Sequence, residues 1–418
     1  MEKLTDFQYT MDSCNHCGQC KWILPTKMHG WDYAEICPIH REFGFDAYSG
    51  QGLINIAKEV MNGTLSYGDG LEEMLFTCTA CGACDINCKS VRDMDVLDTI
   101  LALRADCAQR GTLPAPLRER ARALEETHNI YGLPHAERWS WLPEDCGEDP
   151  TADTVLFLGC AASFRQRDVA LAAMKLLRAG GVRFRLLREQ EWCCGGFLWR
   201  SGQTEAAKKL IARNLELFLD QGVKTLITAC GECFGVFRGA YPRFGELPCR
   251  VRHISEAAAE LLEQGRLRLA PAELPGPVTW HDPCMLGRLS EEYVPWHGVI
   301  RPYGLHEPPK VWRRGEKGVY DAPRAALRAI PGLELLEMPR NCENSFCCGA
   351  AAADADPAFA QRTAAERRRE AESTGAAAVV TACPFCREAL GAEGEHAMPC
   401  YDLTLLLAGV LEGGGEEG

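Results

Sequence analysis

The sequence has no long hydrophobic run, and we expect no secretory leader. No stretch of about 18 apolar residues occurs, so we expect no membrane-spanning helix. The first six residues (MEKLTD) lack the basic segment and apolar run of a signal peptide. We therefore expect a cytoplasmic protein, and in a reducing cytoplasm cysteines bind metals more often than they form disulfides.

Positive charge is also in short supply. Lysine and arginine total 45 against 58 aspartates and glutamates, which gives a net charge of -13. Nucleic-acid binding requires a basic surface, so we expect no nucleic-acid partner. A protein partner with a basic docking face is expected instead. No glycine-rich dinucleotide motif follows a predicted strand, so a flavin or nicotinamide would have to lie on another protein of the complex.

Cysteine, by contrast, is abundant, with 23 in a chain of 418 residues. A chain of this length is expected to fold as about two to four domains. Composition and cysteine spacing divide it into a helical segment at 1–110, a helical linker at 111–150 rich in proline, arginine and glutamate, two similar halves at 151–270 and 271–411, and a tail of glycine and glutamate at 412–418 that we expect to be disordered.

The two halves repeat one order of elements, in which short apolar strands alternate with amphipathic helices. Such alternation predicts an α/β domain with a parallel sheet in each half. The predicted strands cover 154–159, 182–187, 223–228, 277–280, 333–338 and 377–381, and the predicted helices cover 52–62, 169–179, 204–220, 323–330 and 357–373.

Seven cysteines of the N-terminal segment form two closely spaced runs. The first run is C-x2-C-x2-C at Cys14, Cys17 and Cys20, and the second is C-x2-C-x2-C-x3-C at 78–88. The second spacing is that of bacterial ferredoxins, in which three cysteines bind one cluster and the fourth binds the other. Zinc is the alternative, but it usually takes four ligands from two C-x2-C pairs, and cysteine triplets fit that pattern poorly.

The fourth ligand of one cluster is displaced in this sequence. Leu24 and Pro25 stand where ferredoxins have Cys-Pro, and the Cys-Pro pair occurs instead at Cys37. We interpret Cys37 as the displaced ligand, with a buried structural thiol as the alternative. The expected ligands are therefore Cys14, Cys17, Cys20 and Cys88 for one [4Fe-4S] cubane, and Cys37, Cys78, Cys81 and Cys84 for the other.

Each half of the rest of the chain carries five cysteines at the ends of predicted strands. Five thiolates exceed the four of a cubane cluster or of a structural zinc, and the carboxyl ends of strands are where open α/β sheets place ligands. The glycine after each vicinal cysteine pair permits a tight turn beside a cluster. The two sets are Cys160, Cys193, Cys194, Cys230 and Cys233, and Cys284, Cys347, Cys348, Cys383 and Cys386.

The pattern C-x(n)-C-C-G-x(m)-C-x2-C, present twice, resembles the cysteine-rich CCG domain of the B-type subunits of heterodisulfide reductase, and its fusion to a two-cluster segment resembles the D-type subunits. The iron–sulfur subunits of glycolate oxidase and of anaerobic glycerol-3-phosphate dehydrogenase are similar too. The stretches 281–284 (HDPC) and 344–349 (NSFCCG) also look like family signatures. The expected fold class is therefore α+β multidomain, with an all-helical two-cluster ferredoxin-type domain followed by two tandem Rossmann-like α/β CCG domains.

The resemblance implies a noncubane [4Fe-4S] cluster on each five-cysteine set, or on one set alone if the first is degenerate in practice. Both sets are complete, which favours chemistry on a disulfide. The implied function is that of the iron–sulfur component of a heterodisulfide reductase-like oxidoreductase, which passes electrons through two cubanes to two noncubane clusters that reduce or form a disulfide. The sequence assigns no catalytic residue, although the cluster-bearing Cys193, Cys194, Cys347 and Cys348 are favoured.

The alternative function is that of an electron conduit without a substrate of its own. It would serve a flavin-dependent complex that oxidises 2-hydroxy acids or acyl-CoA, or that reduces an aromatic acyl-CoA. In either case the expected partners are a flavoprotein or other electron-transfer subunits of a larger complex, with a membrane cytochrome or a quinone-linked protein as a further candidate. Such a partner would hold the protein peripherally at the inner membrane.

Four other features carry expectations of their own. We expect His281 and Asp282 to cap a helix after their strand, with proton donation near a cluster as the alternative. Arg200 is expected to be solvated, with anion binding as the alternative. The arginine run at 367–369 predicts the outer face of a helix. The aromatic-rich insertion at about 289–317 is a substrate lid, a partner surface or a packed loop.

Overall fold

The computed structural model describes residues 3–274, 276–391 and 397–412. The predicted tail at 412–418 lies outside the described residues except for Glu412. Among the helices of the described residues, none combines the length and the apolar composition that a bilayer span requires.

The N-terminal segment consists of short helices separated by cysteine-bearing turns. The helix predicted over 52–62 is observed at Gly50–Met61, where the Ser49 hydroxyl caps it by accepting the N–H of Gly52. It packs against the helix at Val96–Arg110, and the two supply much of the N-terminal core. The helices of this segment are α1 (Gln8–Ser13), α2 (Pro38–Phe43), α3 (Gly50–Met61), α4 (Asp69–Thr77), α5 (Ala83–Lys89) and α6 (Val96–Arg110).

One helix and a series of turns connect this segment to the first half. The helix α7 (Ala115–Thr127) begins after Pro114 and carries a second proline in its first turn, where a missing N–H costs no intrahelical bond. His128 ends α7 in the left-handed conformation. Further helical structure in this linker is confined to a 3₁₀ turn at His135–Arg138.

The first half is a three-stranded parallel sheet with helices between its strands. Its elements are β1 (Thr154–Phe157), α8 (Gly159–Phe164), α9 (Arg167–Ala179), α10 (Gly196–Arg200), α11 (Thr204–Asp220), β2 (Thr225–Thr228), α12 (Gly231–Gly239), β3 (Arg250–His253) and α13 (Ile254–Glu263). The strand order is β1-β2-β3, with Leu156 opposite Ile227 and Ile227 opposite Arg252. The helix predicted over 204–220 is observed with those bounds.

The second half repeats this plan with a four-stranded parallel sheet. Its elements are β4 (Val278–Trp280), β5 (Val299–Arg301), β6 (Leu305–Glu307), α14 (Asp321–Arg328), β7 (Leu335–Leu336), α15 (Pro357–Ser373), β8 (Ala378–Thr381), α16 (Pro384–Leu390), β9 (Cys400–Asp402) and α17 (Leu403–Gly409). The strand order is β7-β4-β8-β9, with Thr279 between Leu336 and Val379. The alternation of strands and helices therefore gives the α+β architecture expected from the sequence.

Two details of the sheets differ from the sequence prediction. The segment at 182–187, predicted as a strand, forms a single parallel bridge between Arg185 and Val155, because the chain turns away at Arg188–Gln190. This segment lies beside β1 in the first half, at the position that β7 has beside β4 in the second half. The edge strands β3 and β9 are missing from the prediction, since both are short and polar residues interrupt their apolar pattern.

The two halves pack together so that the carboxyl ends of their sheets meet. α9 packs against α17, and α13 packs against α14. The N–H of Gly231, directly after the loop from β2, donates to the carbonyl of Ala382, directly after β8, at 3.2 Å. The strand ends that carry cysteines in the first half therefore face those of the second half.

The insertion at 289–317 forms a β-hairpin, β5 with β6, that lies against the N-terminal segment. Lys310 forms an ion pair with Asp95, and the ring of His306 meets that of Tyr9 edge to face with centroids 6.1 Å apart. All of its residues are described, and none of them lines the cysteine cavity between the halves. The insertion thus joins two parts of the chain away from the shared cavity and does not form a lid over it. Its hairpin exposes the apolar side chains of Val299, Ile300, Tyr303 and Leu305, so a partner surface stays a prediction.

Candidate functional site

Eight of the nine cysteines in residues 1–110 line two separate small cavities. Cys14, Cys17, Cys20 and Cys88 line the first, together with residues of α3 and of the turn after α5. Cys17 is exposed and Cys14 is partly buried, whereas Cys20 and Cys88 are buried. This cavity therefore lies at the molecular surface.

The second cavity is lined by Cys37, Cys78, Cys81 and Cys84. Cys37 immediately precedes α2, and α2 begins with Pro38, whose fixed φ suits a first helical position. The structure thus brings Cys37 to the triplet at 78–84 although 41 positions separate Cys37 from Cys78. Burial raises the pKa of the thiols of Cys37 and Cys84 and so opposes their charged form, which a bound cation would stabilise.

The two triplets adopt the same backbone turn. Gly18 and Gly82 follow the middle cysteines with φ angles of 78° and 77°, the left-handed region that glycine enters without strain. The residues before the middle cysteines, His16 and Ala80, also have positive φ angles, of 56° and 49°. Each turn points its cysteines toward one centre, as a cluster with four thiolate ligands requires.

The two small cavities are separated by the start of α3. A Cβ atom placed on Gly50 would lie 2.8 Å from the Cβ of Cys84 and 3.2 Å from that of Cys20. Since Cys20 belongs to the first cavity and Cys84 to the second, the start of α3 at Gly50 packs closely against one cysteine of each cavity.

All ten cysteines of the two CCG sets line one shared cavity with an empty volume of about 870 Å³. Nine of the ten are buried and Cys284 is partly buried. Each set reaches the cavity from three places. These are the segment directly after its first strand (the start of α8 for Cys160, a turn for Cys284), the CCG turn, and the start of the helix after its central strand, α12 or α16.

The CCG turns of the two halves have the same geometry. Gly195 and Gly349 have φ angles of 86° and 87°. Their N–H groups donate to the sulfurs of Cys193 and Cys347 respectively, both at 3.4 Å. The glycine in this motif is therefore required by the left-handed turn, and the turn supplies a hydrogen bond to the first sulfur of each pair.

Within each set the thiols contact one another. In the first set Cys194 hydrogen-bonds Cys193 and Cys233, and these bonds lower the pKa of the Cys194 thiol. In the second set Cys348 lies 3.4 Å from Cys386 and also bonds Cys347, with the same effect on the Cys348 pKa. The neighbouring sulfurs thus favour ionisation of the second cysteine of each vicinal pair.

Two further sulfur contacts connect the cavities to one another. The thiol of Cys230 in the first set lies near that of Cys383 in the second, and each shifts the pKa of the other. The side chain of Cys81 in the N-terminal segment shares a buried cluster with that of Cys347. The second set is therefore in contact both with the first set and with the second cubane-type cavity.

Two ion pairs form the polar part of the cavity wall. Arg200 Nη2 lies 2.8 Å from Glu232 Oε1, and Arg120 of α7 lies 2.7 Å from Asp354. The Nε of Arg200 is buried and has no hydrogen-bond partner among the described residues. The expectation of a solvated Arg200 is wrong, because its side chain is only 17% exposed and pairs with Glu232 of α12.

A buried ion pair that the sequence pattern does not reveal lies behind the first set. The side chains of Arg138 and Glu191 are fully buried and 2.8 Å apart. Arg138 Nη2 is 3.7 Å from Cys160 Sγ, and Glu191 accepts the N–H groups of Leu158 and Gly159. The pair ties the linker to the start of α8, which carries Cys160.

Behind the second set, His281 takes the corresponding place. Its Nδ1 accepts a hydrogen bond from Arg367 Nε at 3.0 Å, and burial followed by the charge of Arg367 lowers its pKa to about 3. Arg367 is fully buried and also contacts Glu370. The expectation that the 367–369 run faces outward is therefore wrong for Arg367.

Asp282 does not cap a helix, because turns rather than a helix follow β4. Its oxygens lie 2.7 and 2.8 Å from the guanidinium of Arg324 and accept the indole N–H of Trp280 and the backbone N–H of Cys342. Burial raises the pKa of Asp282, but Arg324 outweighs it and the net shift is downward. The carboxylate thus fixes the loop before the second CCG pair.

The donor chemistry of all three cavities fits iron–sulfur clusters. Thiolates are the soft ligands that such clusters take, and the described cysteines form no disulfide with one another. Four thiols converge at each N-terminal cavity and five from each half at the shared one.

Comparison with known proteins agrees with this description. A family model for a 4Fe-4S dicluster domain matches residues 10–91, and one for the cysteine-rich CCG domain matches residues 154–238 and 304–391. The chain is 30% identical over 91% of its length to the D-type subunit of the dihydromethanophenazine:CoB–CoM heterodisulfide reductase of Methanosarcina mazei, of which it covers 88%. It is 28% identical to the EtfAB:quinone oxidoreductase of Syntrophomonas wolfei, covering 49% of that protein with 85% of itself.

The chain has a helical domain with two four-cysteine sites, and this domain is joined to paired CCG domains. These features define an iron–sulfur electron-transfer protein that binds [4Fe-4S] clusters. Such a protein is a component of an oxidoreductase. The chain belongs to the family of heterodisulfide reductase D-type subunits. The Methanosarcina relatives are named as subunits of a larger enzyme.

Proposed function

We propose that the protein carries electrons from a partner protein through its N-terminal domain to the shared cavity, where a disulfide is reduced or formed. The observation that carries this proposal is that all ten CCG cysteines line one cavity. Cleavage of a disulfide requires two electrons and two protons and yields two thiols. When bound, a noncubane cluster on each five-cysteine set supplies an electron and a place for one of the two sulfurs.

The three cavities support one ligand assignment. Cys14, Cys17, Cys20 and Cys88 would hold one cubane, and Cys37, Cys78, Cys81 and Cys84 the other. The sets Cys160, Cys193, Cys194, Cys230, Cys233 and Cys284, Cys347, Cys348, Cys383, Cys386 would each hold one noncubane cluster. Each half would then be a Rossmann-like module with its cluster at the carboxyl edge of its sheet.

The contacts between cysteines support one order for electron flow. Cys17 is exposed, so the first cubane site is where a partner would deliver electrons. Gly50 separates that site from the second, and the Cys81–Cys347 contact leads from there to the second CCG set. The Cys230–Cys383 contact leads on to the first set. In this order the second set receives each electron before the first.

The side chains of the cavity wall suit a disulfide that carries an anionic group. Arg200 keeps one buried N–H without a partner among the described residues, and a carboxylate, sulfonate or phosphate would satisfy it. Its partner Glu232 also fixes the direction of the guanidinium. We infer that Arg200 binds such a group beside the reacting sulfurs.

The proposal is tested with the full chain after anaerobic cluster reconstitution. Four clusters correspond to about 16 iron atoms per chain. Such protein should oxidise reduced viologen when 3,3′-dithiodipropionate is added, and Cys383→Ser should abolish that activity. Full iron content without any disulfide-dependent oxidation would refute disulfide chemistry.

The similarity to an EtfAB:quinone oxidoreductase favours a second function, that of an electron conduit in a flavin-dependent complex. The expected partners would then be a flavoprotein and a membrane cytochrome or quinone-linked protein, with the chain held peripherally at a membrane. Oxidation of the reduced clusters by a quinone-linked partner, with no response to disulfides, would favour this function.

A further inference from the structure

We propose that His281 donates a hydrogen bond from Nε2 to sulfur of the second five-cysteine set and thereby raises the reduction potential of the cluster held there. The inference rests on the proposed function, because it presupposes a cluster on that set. Hydrogen bonds to cluster sulfurs are a principal means by which proteins adjust such potentials.

The position of His281 supports this role. It follows β4 and is 1% exposed. A ring nitrogen of His281 and the sulfurs of Cys348 and Cys386 all lie within 4.8 Å of one another. His281 is not among the residues that line the shared cavity. The imidazole thus lies on the protein side of these sulfurs, where it faces the cluster site and not the substrate.

The hydrogen bond from Arg367 determines which ring nitrogen carries the proton. A guanidinium always donates, so Nδ1 of His281 must accept with its lone pair. The proton of the neutral imidazole is then on Nε2. That nitrogen is buried and has no partner among the described residues, a costly arrangement that a sulfur acceptor would relieve. A protonated Nε2 has no free lone pair, so His281 is a donor and not an iron ligand.

The orientation of Arg367 is itself fixed. Its Nη1 contacts Glu370 Oε2 at 2.5 Å and the carbonyl of Arg340 at 2.9 Å, and its Nη2 lies 3.2 Å from Ser345 Oγ. Arg367 therefore acts as a positioning residue, which holds the imidazole in one tautomer and one orientation.

The first set has no counterpart to this histidine. Counting back three residues from the first cysteine of each set gives His281 in the second half and Phe157 in the first, and a phenyl ring cannot donate to sulfur. The group near Cys160 is instead the Arg138–Glu191 ion pair. A change at His281 should therefore shift the potential of one CCG-bound cluster and leave the other unchanged.

Two substitutions of similar size separate hydrogen bonding from packing. In His281→Gln the side-chain amide extends to the position of Nε2 and can still donate to sulfur. In His281→Asn the amide reaches only the position of Nδ1. Potentiometric titration of the reconstituted full chain, followed by electron paramagnetic resonance, should give one cluster a lower potential in the Asn variant and a near wild-type value in the Gln variant. The other clusters should keep their potentials.

Pulsed resonance of the wild-type protein with ¹⁵N-labelled histidine provides a second measurement that needs no variant. A weak nitrogen coupling, as from a hydrogen bond, supports the inference, and the strong coupling of a ligating nitrogen overturns it. Equal potentials in wild type and His281→Asn, at full iron content, overturn the inference alone. Only about 12 iron atoms in the wild type, with no signal from the second set, would overturn the proposed function together with the inference.

Discussion

At Gly50 a single hydrogen atom stands where any other residue would place a carbon between two cysteines. A Cβ there would lie closer to the Cβ of Cys84 than real Cβ atoms approach. Because Cys20 lies on the other side, neither neighbour can move without changing its own cavity. The requirement for glycine at this residue thus comes from the distance between two cluster sites and not from a backbone angle.

We therefore predict that Gly50→Ala will lower the iron content of the N-terminal domain by roughly one cluster, about four iron atoms per chain. Anaerobic iron analysis and resonance spectra of the reconstituted protein provide the measurement. Gly70→Ala is the matched control, since Gly70 is also in a helix and a Cβ there meets nothing within 4 Å. Full occupancy of both sites in Gly50→Ala would show that the start of α3 can shift.

For Arg200 we predict a change in substrate binding. Arg200→Gln should raise KM for 3,3′-dithiodipropionate about tenfold, which corresponds to a loss of about 1.4 kcal/mol, with a smaller effect on kcat. The neutral probe 2-hydroxyethyl disulfide should show no comparable change. An equal loss with both substrates would show that Arg200 supports the cavity wall and does not bind the anionic group.

The cysteines could be predicted from the sequence because their chemistry depends on local spacing, which the chain shows directly. The buried charges could not be predicted as easily. Arg367 shares a helix face with Ala360, Ala364 and Ala371, all of which are buried. Helical periodicity therefore did indicate that Arg367 would be buried. Arg138 lies in a 3₁₀ turn without periodicity, and its partner Glu191 is 53 residues away. A contact of that kind depends on tertiary packing alone.

Among the elements, α17 has an unusual N-terminal cap. Asp402 is fully buried, and its Oδ1 accepts the N–H of Thr404 at 2.7 Å. Its Oδ2 has no partner among the described residues. Burial, only partly offset by Thr404, raises the pKa of this carboxyl from 3.8 to about 6. Folding therefore favours the protonated form of Asp402, whereas a capping aspartate is usually ionised.

The consequence for stability has a definite sign. Between about pH 4 and pH 6 the unfolded chain has lost this proton while the folded chain keeps it, so stability falls as pH rises through that window. We predict that Asp402→Asn, which keeps the cap, will be more stable than wild type at pH 7.5 by at most about 3 kcal/mol, and by less at pH 5. Anaerobic urea unfolding at both pH values measures the difference.

Asp356→Asn serves as the control for this measurement, because Asp356 caps α15 through a similar bond but is only partly buried. Its substitution should change stability less. A pH-independent advantage of Asp402→Asn would contradict the assignment of the effect to this carboxyl.

At the scale of the elements, strands followed by cysteines were predictable because apolar runs end sharply at them. The edge strands were not, since β3 and β9 contain residues such as Arg250, Arg252 and Asp402 that are common in loops. Their place in the sheet comes from pairing with β2 and β8, which no single segment shows.

For the whole molecule, Arg288 connects the N-terminal domain to the second half. Its buried guanidinium donates to the carbonyls of Cys81 at 3.2 Å and Glu343 at 2.8 Å, and also to that of Ser345. Cys81 is a proposed ligand in one domain, and Ser345 lies two residues before Cys347 in the other. Arg288 thus fixes the position of Cys81 relative to Cys347.

We predict that Arg288→Met will slow electron transfer from the N-terminal clusters to the shared cavity at least tenfold while leaving the iron content near wild type. Rapid-mixing reduction followed by freeze-quench resonance would measure the rate. Arg314→Met is the control, because Arg314 also links the two parts of the chain through Asp93 and the carbonyl of Lys89 but is half exposed. Unchanged transfer in Arg288→Met would mean that the α5 packing alone maintains the contact.

The gradient of exposure among the cysteines, from exposed Cys17 to the buried CCG sets, also determines how air would damage the protein. Dioxygen and peroxide reach solvent-accessible thiolates and their clusters before buried ones. The site where electrons arrive would therefore be lost first, while the cavity where chemistry occurs is still intact. Brief exposure to air should leave a protein that has lost contact with its donor but regains full function after iron and sulfide are restored to one surface site.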